Sequence, residues 1–308
     1  MHISVLSNEA LKYLKLSSND NVIDCTVGSG GHAIMMLEAI SPEGKLLGID
    51  RDEKALELSR VNLKKFENRT ILIHGRFGDL DELVLKNNFK KISGILLDIG
   101  MSSMQLGETG RGFSFKKAEY LDMRMDQSGG LTAADIVNSS SKVDLEKIFR
   151  EYGEESFSKK IARAIVERRE KQNVETTNEL ADLVCEVVPR GFHAGKIHPA
   201  TKVFQALRIA VNDELNELKK VLPKALTLLD RGGRMVVISF HSIEDRIVKD
   251  FFKLEKKNCI CPDVLPICRC NHRSRVRIIT RKPVVPAPDE IVKNPRSRSA
   301  KLRCVEKI

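Results

Sequence analysis

The sequence predicts an α/β protein: a mainly parallel sheet with helices on both faces, interrupted by an all-helical insertion. Three observations predict it. Strand-like and helix-like patterns alternate through the first hundred residues, the rhythm of a parallel sheet with crossover helices. The strand segments are near-continuous apolar runs, as expected where both faces of a strand are buried. The alternation then stops, and a buried strand pattern returns only at Arg234.

In chain order, Asn21–Cys25 (NVIDC) is a short strand ending in a glycine-rich turn, and His32–Ile40 follows as a helix. Lys45–Ile49 is a second strand, closed by Asp50. Glu53–Phe66 has helical spacing, with Leu56, Val61 and Leu63 near one face. Thr70–His74 and Ile92–Leu97 are the third and fourth strands. Gly100–Gly130, rich in Gly, Ser and Met, is a long ordered loop. Leu145–Arg150, Phe157–Arg169, Thr177–Val187 and Ala200–Val221 are helical, the third with a Thr-Thr-x-Glu start signal. Arg231-Gly232-Gly233 ends a helix and Arg234–Ser239 is a strand. Ile243–Lys257 is a helix, and Val276–Thr280 and Lys301–Glu306 complete the sheet. The expected domains are residues 1–108 (sheet domain, first part), 109–217 (inserted helical substrate-recognition domain) and 218–308 (sheet domain, second part).

Composition narrows the class. A hydrophobic share of 42% with 31% charged residues fits a soluble globular chain rather than a disordered one. No run approaches the ~18–20 apolar residues of a membrane span. Asn8, Glu9 and Lys12 stand where a secretory signal would need apolar residues, so a cytoplasmic location is expected. The net charge is +10, but it is uneven: Arg246–Ile308 holds 17 basic and 6 acidic residues, and the rest of the chain is near neutral. A local basic surface suits a polyanion. The odd count of 7 cysteines argues for reduced thiols. Cys259-x-Cys261 and Cys268-x-Cys270, with His272, have the donors for a tetrahedral zinc. The C-x-C spacing strains chelation of one ion, so no metal is assigned.

Gly28-Ser29-Gly30-Gly31-His32-Ala33 joins strand one to the first sheet helix and fits G-x-G-x-x-G/A. Asp50 follows Gly28 by 22 residues at the tip of strand two, where a carboxylate can accept both hydroxyls of a ribose. NAD and S-adenosylmethionine both carry that ribose. Asp24 at the tip of strand one is awkward beside a pyrophosphate and tolerable beside a cationic methionine half. Asp98 ends strand four, where it can hold an ammonium or a substrate amino group.

Longer motifs now add up. VGSGGH (Val27–His32), GIDRD (Gly48–Asp52), GILLDIGMSSMQL (Gly94–Leu106), RGFSF (Arg111–Phe115), LDMRMD (Leu121–Asp126), YGEE (Tyr152–Glu155), KKIARAIVERR (Lys159–Arg169), HPATKVFQALRIAVN (His198–Asn212), ISFHSIEDRIVK (Ile238–Lys249) and NPRSRSAKLR (Asn294–Arg303) span the chain. With them the sequence resembles the bacterial 16S ribosomal RNA (cytosine-N4)-methyltransferases of the MraW/RsmH type. The resemblance implies a class I S-adenosylmethionine-dependent methyltransferase, Rossmann-like, acting on one cytosine of the decoding region. It implies that Gly30, Gly31, His32, Asp50, Phe77, Asp98 and Gln105 contact S-adenosyl-L-methionine, with Gly28 in the same loop. Met101 and Met104 depart from the family's more usual valine and proline.

Cytosine N4 is a poor nucleophile because its lone pair is conjugated into the ring. Asp98, or a loop carbonyl, is the expected acceptor for its hydrogens, and His241 a second candidate. His241 has an alternative as a cap of the following helix, oriented by Ser239, Ser242 or Asp245. Arg273, Arg275 and Arg277 alternate, so a strand would present them on one face to RNA. Arg296 and Arg298 form a second cluster, and Lys159, Lys160, Arg163, Arg168 and Arg169 could line the inserted helices. The expected partner is 16S ribosomal RNA in the small subunit, with no membrane partner; a homodimer stays open. Two other readings also stay open: an NAD-dependent oxidoreductase, and a non-catalytic RNA-binding assembly factor.

Overall fold

A computed structural model describes residues 4–100, 110–189, 191, 198–262 and 268–308. The chain forms two compact units, Met1–Gly100 with Asn216–Ile308, and Met101–Leu215. No helix among the described residues is long and apolar enough to cross a membrane.

The first unit is built on a seven-stranded sheet. Its elements begin with α1 (Ser7–Leu14), β1 (Asn21–Asp24), α2 (Gly31–Ala39), β2 (Leu46–Asp50), α3 (Glu53–Asn62), β3 (Thr70–His74), α4 (Leu80–Lys86) and β4 (Ile92–Asp98). The alternation of buried residues sorts the strands between two layers. Ile23, Leu47, Ile49, Ile95 and Leu97 point to one face, against Leu80 and Val84 of α4. Val22, Leu46 and Leu96 point to the other, against Ala10 and Leu14 of α1 and Met36 and Leu37 of α2. Each fully buried side chain of this kind contributes about 1.5–3 kcal/mol relative to exposure. This two-faced core is why the sequence shows apolar runs rather than alternation. Val61, taken from its spacing as part of the buried face of α3, is instead 71% exposed. Val61 follows Leu56 by five residues, about 140° round the helix, so it faces solvent, while Leu63, seven residues on, returns to the buried side.

The second unit packs α5 (Ala133–Ser139), α6 (Lys142–Gly153), α7 (Ser158–Arg169), α8 (Thr177–Val187) and α9 (Thr201–Asn212) around Leu145, Phe149, Ile161, Ile165, Leu180, Val184, Val203 and Leu207. Capping boxes at Thr132–Asp135 and Thr176–Glu179 start α5 and α8. The single helix expected over Ala200–Val221 is two. Asp213 adopts φ +52 and ends α9, and a new helix, α10 (Glu214–Leu228), begins at once. Asn212 fixes the break: its Oδ1 accepts the Met125 N–H at 2.9 Å and its Nδ2 donates to the Met123 carbonyl at 2.7 Å. Arg208 adds a two-pronged ion pair with Glu214, at 2.8 and 2.9 Å.

The chain then completes the sheet with β5 (Leu229–Ser239), α11 (Ser242–Lys256), β6 (Val276–Ile278), α12 (Pro288–Lys293) and β7 (Lys301–Lys307). The strand expected from Arg234 begins at Leu229. It carries an irregularity opposite Ile92/Gly94, with Gly232 at φ +82: residues 230–232 are exposed, and the pairing with β4 made at Leu229 resumes at Arg234. The order is β3-β2-β1-β4-β5-β7-β6, parallel except for β7, which pairs antiparallel with both β5 and β6. This is the Rossmann-like, mainly parallel sheet expected of the class I fold. Strand order reverses between β1 and β4, and the carboxyl ends there form the crevice where such sheets bind ligands.

Candidate active site

Three strand tips bring three carboxylates to that crevice: Asp24 on β1, Asp50 on β2 and Asp98 on β4. The loop between β1 and α2 continues the sheet's bonding past the last strand residue. The Cys25 N–H donates to the Leu96 carbonyl and the Val27 N–H to that of Ile49, both at 2.9 Å. The chain then turns sharply, with Gly28 at φ +53 and Gly30 at φ +91. Both lie in the left-handed region that side chains disfavour. A Cβ on Gly30 would also come within 3.3 Å of Ser59 and Leu63.

The turn is clamped from α3. Ser59 donates to the Gly28 carbonyl at 2.8 Å, and Asn62 to that of Ser29 at 2.9 Å. Asp50 holds it from β2: its Oδ2 accepts the Gly28 N–H at 2.8 Å and its Oδ1 the Asp52 N–H at 2.9 Å. The Gly30 N–H is also committed, to the Val27 carbonyl at 2.8 Å. So the amides of Gly28 and Gly30 are occupied, and the loop is a poor cradle for a phosphate. Crowding by protein atoms raises the Asp50 carboxyl to about 6, against the pull of the two N–H donors.

Asp24 is almost wholly buried. Its Oδ1 accepts the Thr26 N–H at 3.1 Å and so ties down the turn. Its Oδ2 has no hydrogen-bond partner among the described residues. Burial raises its pKa to about 6; His32 and the Thr26 N–H oppose the rise, and Asp98 and Asp50 add to it. His32, buried in the first turn of α2, puts Nε2 3.4 Å from Asp98 Oδ2. Burial disfavours the charged imidazole, but Asp98 and then Asp24 outweigh it and raise the His32 pKa. The backbone of Asp98 is pinned by its N–H donating to Thr26 Oγ1 at 2.7 Å, while its Oδ1 is buried and unpartnered among the described residues. The pocket therefore has more negative than positive charge, and its loose polar atoms are Asp24 Oδ2, His32 Nε2 and Asp98 Oδ1.

The other expected site residues are scattered. Gly31 opens α2 beside His32. Phe77 begins a 3₁₀ turn just past β3 and is half-buried, with one face packed on the core. Gln105 lies outside the described residues, as do Met101 and Met104. His241 is the N-cap of α11. Its Nδ1 accepts the Glu244 N–H at 3.4 Å, and Glu244 Oε2 accepts the Phe240 and His241 N–H groups at 2.8 and 3.2 Å. The imidazole Nε2 lies 2.9 Å from Glu244 Oε1. The capping alternative for His241 is thus present in the geometry, with Glu244 as a partner. Asp245 holds Arg303, at 2.6 and 3.0 Å.

The expected arginine strand needs correction. β6 spans only Val276–Ile278, so it carries Arg277 alone, and Arg273 and Arg275 precede it. The one-face argument does not reach Arg273: the ladder with β7 runs through Val276–Ile278 and extends back to the Arg275 carbonyl, which accepts the Ile308 N–H at 3.0 Å. Arg275 is drawn to Glu255 at 3.3 Å, and Arg277 to Glu306 at 2.6 Å. Arg273, Arg296 and Arg298 are exposed, and among the described residues none has an ion pair. Sequence reasoning missed Thr26, Ser59, Asn62 and Glu244. The Asp24-x-Thr26 pattern was the available signal.

The MraW methylase family model matches residues 1–308. The ribosomal RNA small subunit methyltransferase H of Syntrophotalea carbinolica is 50% identical over 307 residues, covering 100% of this chain and 98% of that protein. The enzyme of the same name from Caldicellulosiruptor bescii is also 50% identical over 307 residues, covering 100% and 99%. That from Clostridioides difficile is 43% identical over 307 residues, covering 100% and 99%. With the match running the whole chain and the strand tips bearing the crevice just described, this protein belongs to the MraW methylase family.

Proposed function

We propose that the protein transfers a methyl group from S-adenosyl-L-methionine to N4 of a single cytosine in the decoding region of 16S ribosomal RNA, in the cytoplasm and within the small subunit. The observation that carries this reading is the acidic crevice: Asp24 and Asp98 with loose buried oxygens, and Asp50 beside them. Such a site favours a ligand with a ribose at one end and cationic groups at the other. It disfavours a pyrophosphate, which would meet three carboxylates and no free Gly28 or Gly30 amide. That choice separates S-adenosylmethionine from NAD. When bound, S-adenosylmethionine supplies an electrophilic methyl on a sulfonium.

The chain's own residues do the rest. Asp50, Gly28, Gly30 and Gly31 hold the nucleoside half, Phe77 packs on the base, and Asp24 completes the cofactor contacts. Asp98 accepts a hydrogen bond from the cytosine amino group through Oδ1, aligning the N4 lone pair with the methyl carbon. His32 Nε2 lies 3.4 Å from the other oxygen. Alignment of this kind is worth up to ~7–11 kcal/mol of barrier. The N–C bond would form as the S–CH3 bond breaks, with the sulfur keeping the electron pair, and Asp98 or water would take the surplus N4 proton. A paired cytosine hides N4 in its Watson–Crick edge, so the target must be unpaired or flipped out. The exposed Arg273, Arg296 and Arg298 would contact phosphates.

Calorimetric titration tests the cofactor half of the proposal. Saturable binding of S-adenosylmethionine with none for NAD is expected; the reverse would overturn it. The non-catalytic assembly-factor reading is excluded by methyl incorporation into small-subunit RNA and supported by RNA binding without it.

A further inference from the structure

The second chemical cluster of the molecule lies between α11 and β6, away from the strand tips. Cys259, Cys261, Cys268 and Cys270 bring their sulfurs within 4.8 Å of one another. Three of the separations are short: Cys259–Cys268 at 3.4 Å, Cys268–Cys270 at 3.6 Å and Cys259–Cys270 at 3.7 Å. A tetrahedron of thiolates around zinc, with Zn–S of ~2.3 Å, has edges of ~3.8 Å. The spacing is that of ligands converging on one ion. The strain expected of C-x-C chelation is not seen: Cys268 and Cys270, two residues apart, already hold their sulfurs 3.6 Å apart, close to one tetrahedral edge.

The backbone adds a second observation. The Ile260 N–H donates to Cys270 Sγ at 3.4 Å, the Cys261 N–H to Cys259 Sγ at 3.4 Å, and the Arg269 N–H to Cys261 Sγ at 3.3 Å. Amide donors aimed at sulfur stabilise thiolates, the form that binds metal. The described residues between Lys257 and Arg275 form neither helix nor strand, and Ile260 is 43% exposed, so no apolar core orders them. Small coreless segments are commonly ordered by a metal staple.

We propose that these four cysteines bind one structural Zn²⁺, which orders the segment that carries the exposed Arg269 and Arg273. Four sulfurs complete a closed tetrahedral shell, so His272 is not a ligand and no position is open for chemistry. Binding converts the four thiols to thiolates and releases their protons, so affinity rises with pH. Sulfurs this close surround a single ion and leave no room for a multi-iron cluster.

The test uses the full-length protein, reduced and loaded with zinc, then desalted and analysed by elemental mass spectrometry. One zinc per chain is expected in the wild type and in a Cys25→Ser control, and none in a Cys268→Ser/Cys270→Ser variant. Cobalt loading should give the thiolate charge-transfer and intense visible bands of a tetrahedral sulfur site. Should the double variant not fold, the wild type alone decides: removing the metal with a chelator should expose four additional thiols to a thiol reagent and speed proteolysis between residues 257 and 275. Absence of stoichiometric metal after loading, iron in place of zinc, or two disulfides formed in the presence of zinc would each overturn the proposal.

Discussion

Replacing Asp24 with asparagine isolates the electrostatic cost of the crevice. Burial lifts the Asp24 carboxyl to about 6 from an ordinary 3.8. Each unit is worth ~1.36 kcal/mol, so holding this group ionised costs the ligand-free fold up to ~3 kcal/mol. The sign follows from proton counts. Below about pH 4 the group is protonated folded or unfolded, and no cost exists. Between 4 and 6 the folded state binds the extra proton, so stability falls as pH rises, and above 6 the full cost is present. The amide of the Asp24→Asn variant would keep the acceptor for the Thr26 N–H but cannot ionise. Its nitrogen takes the place of the unpartnered Oδ2, a constant offset of about 1–3 kcal/mol that does not vary with pH. The diagnostic is therefore the slope. The stability of Asp24→Asn relative to wild type should climb by up to ~3 kcal/mol from pH 4 to pH 7. At ~2–4 °C per kcal/mol that is up to about 6–12 °C in Tm. Urea unfolding and scanning calorimetry across that range, without cofactor, measure it. A difference that is flat with pH, or that shrinks as pH rises, refutes the burial argument.

Binding of S-adenosylmethionine should strengthen with pH through about 6 and level off above, because a cationic ligand favours the ionised forms of Asp24 and Asp50; calorimetry in buffers of different ionisation enthalpy should also show proton release near pH 6. Asp98→Ala should lower methyl transfer by about a hundredfold or more while the fold stays intact, measured as single-turnover incorporation. His241→Ala should lower stability by about 0.5–2 kcal/mol through the lost cap of α11, and His241→Asn should restore it with turnover within a few fold of wild type; a collapse of turnover in the asparagine variant would give the imidazole a chemical role. Removing Arg273, Arg296 and Arg298 together should weaken RNA binding and reduce the slope of log K against log salt by about 2 for single-stranded contacts, whereas Arg275→Ala and Arg277→Ala should act chiefly on stability through Glu255 and Glu306.

The sheet was legible because its strands are buried on both faces. NVID, LLGID and ILLD each end in an aspartate, and the structure sets those three aspartates at neighbouring strand tips. The glycine turn was legible for the same local reason: positive φ at Gly28 and Gly30 needs glycine. Long-range partners were not. Nothing local to Ser59 or Asn62 says that they clamp carbonyls some 30 residues earlier. The break at Asp213 was hidden because the apolar stripe continues across it; a buried Asn212 bonding to Met123 and Met125 decides it. Alternation of Arg273, Arg275 and Arg277 suggested a strand, but edge pairing with β7 is set by register at Val276–Ile278, which charge spacing does not encode. The cysteine spacing looked unfavourable pair by pair, and became a cluster only when the two pairs met.

The central claim is methyl transfer to one cytosine. Small subunits from cells lacking the enzyme, incubated with the purified protein and S-adenosylmethionine carrying a labelled methyl group, provide the direct measurement. Nuclease digestion and mass spectrometry of the RNA should place the label on N4 of a single cytosine of the decoding region, with transfer slowed about a hundredfold or more in the Asp98→Ala protein. Label on another atom or another base, or saturable cofactor binding with no RNA labelled, would contradict the account.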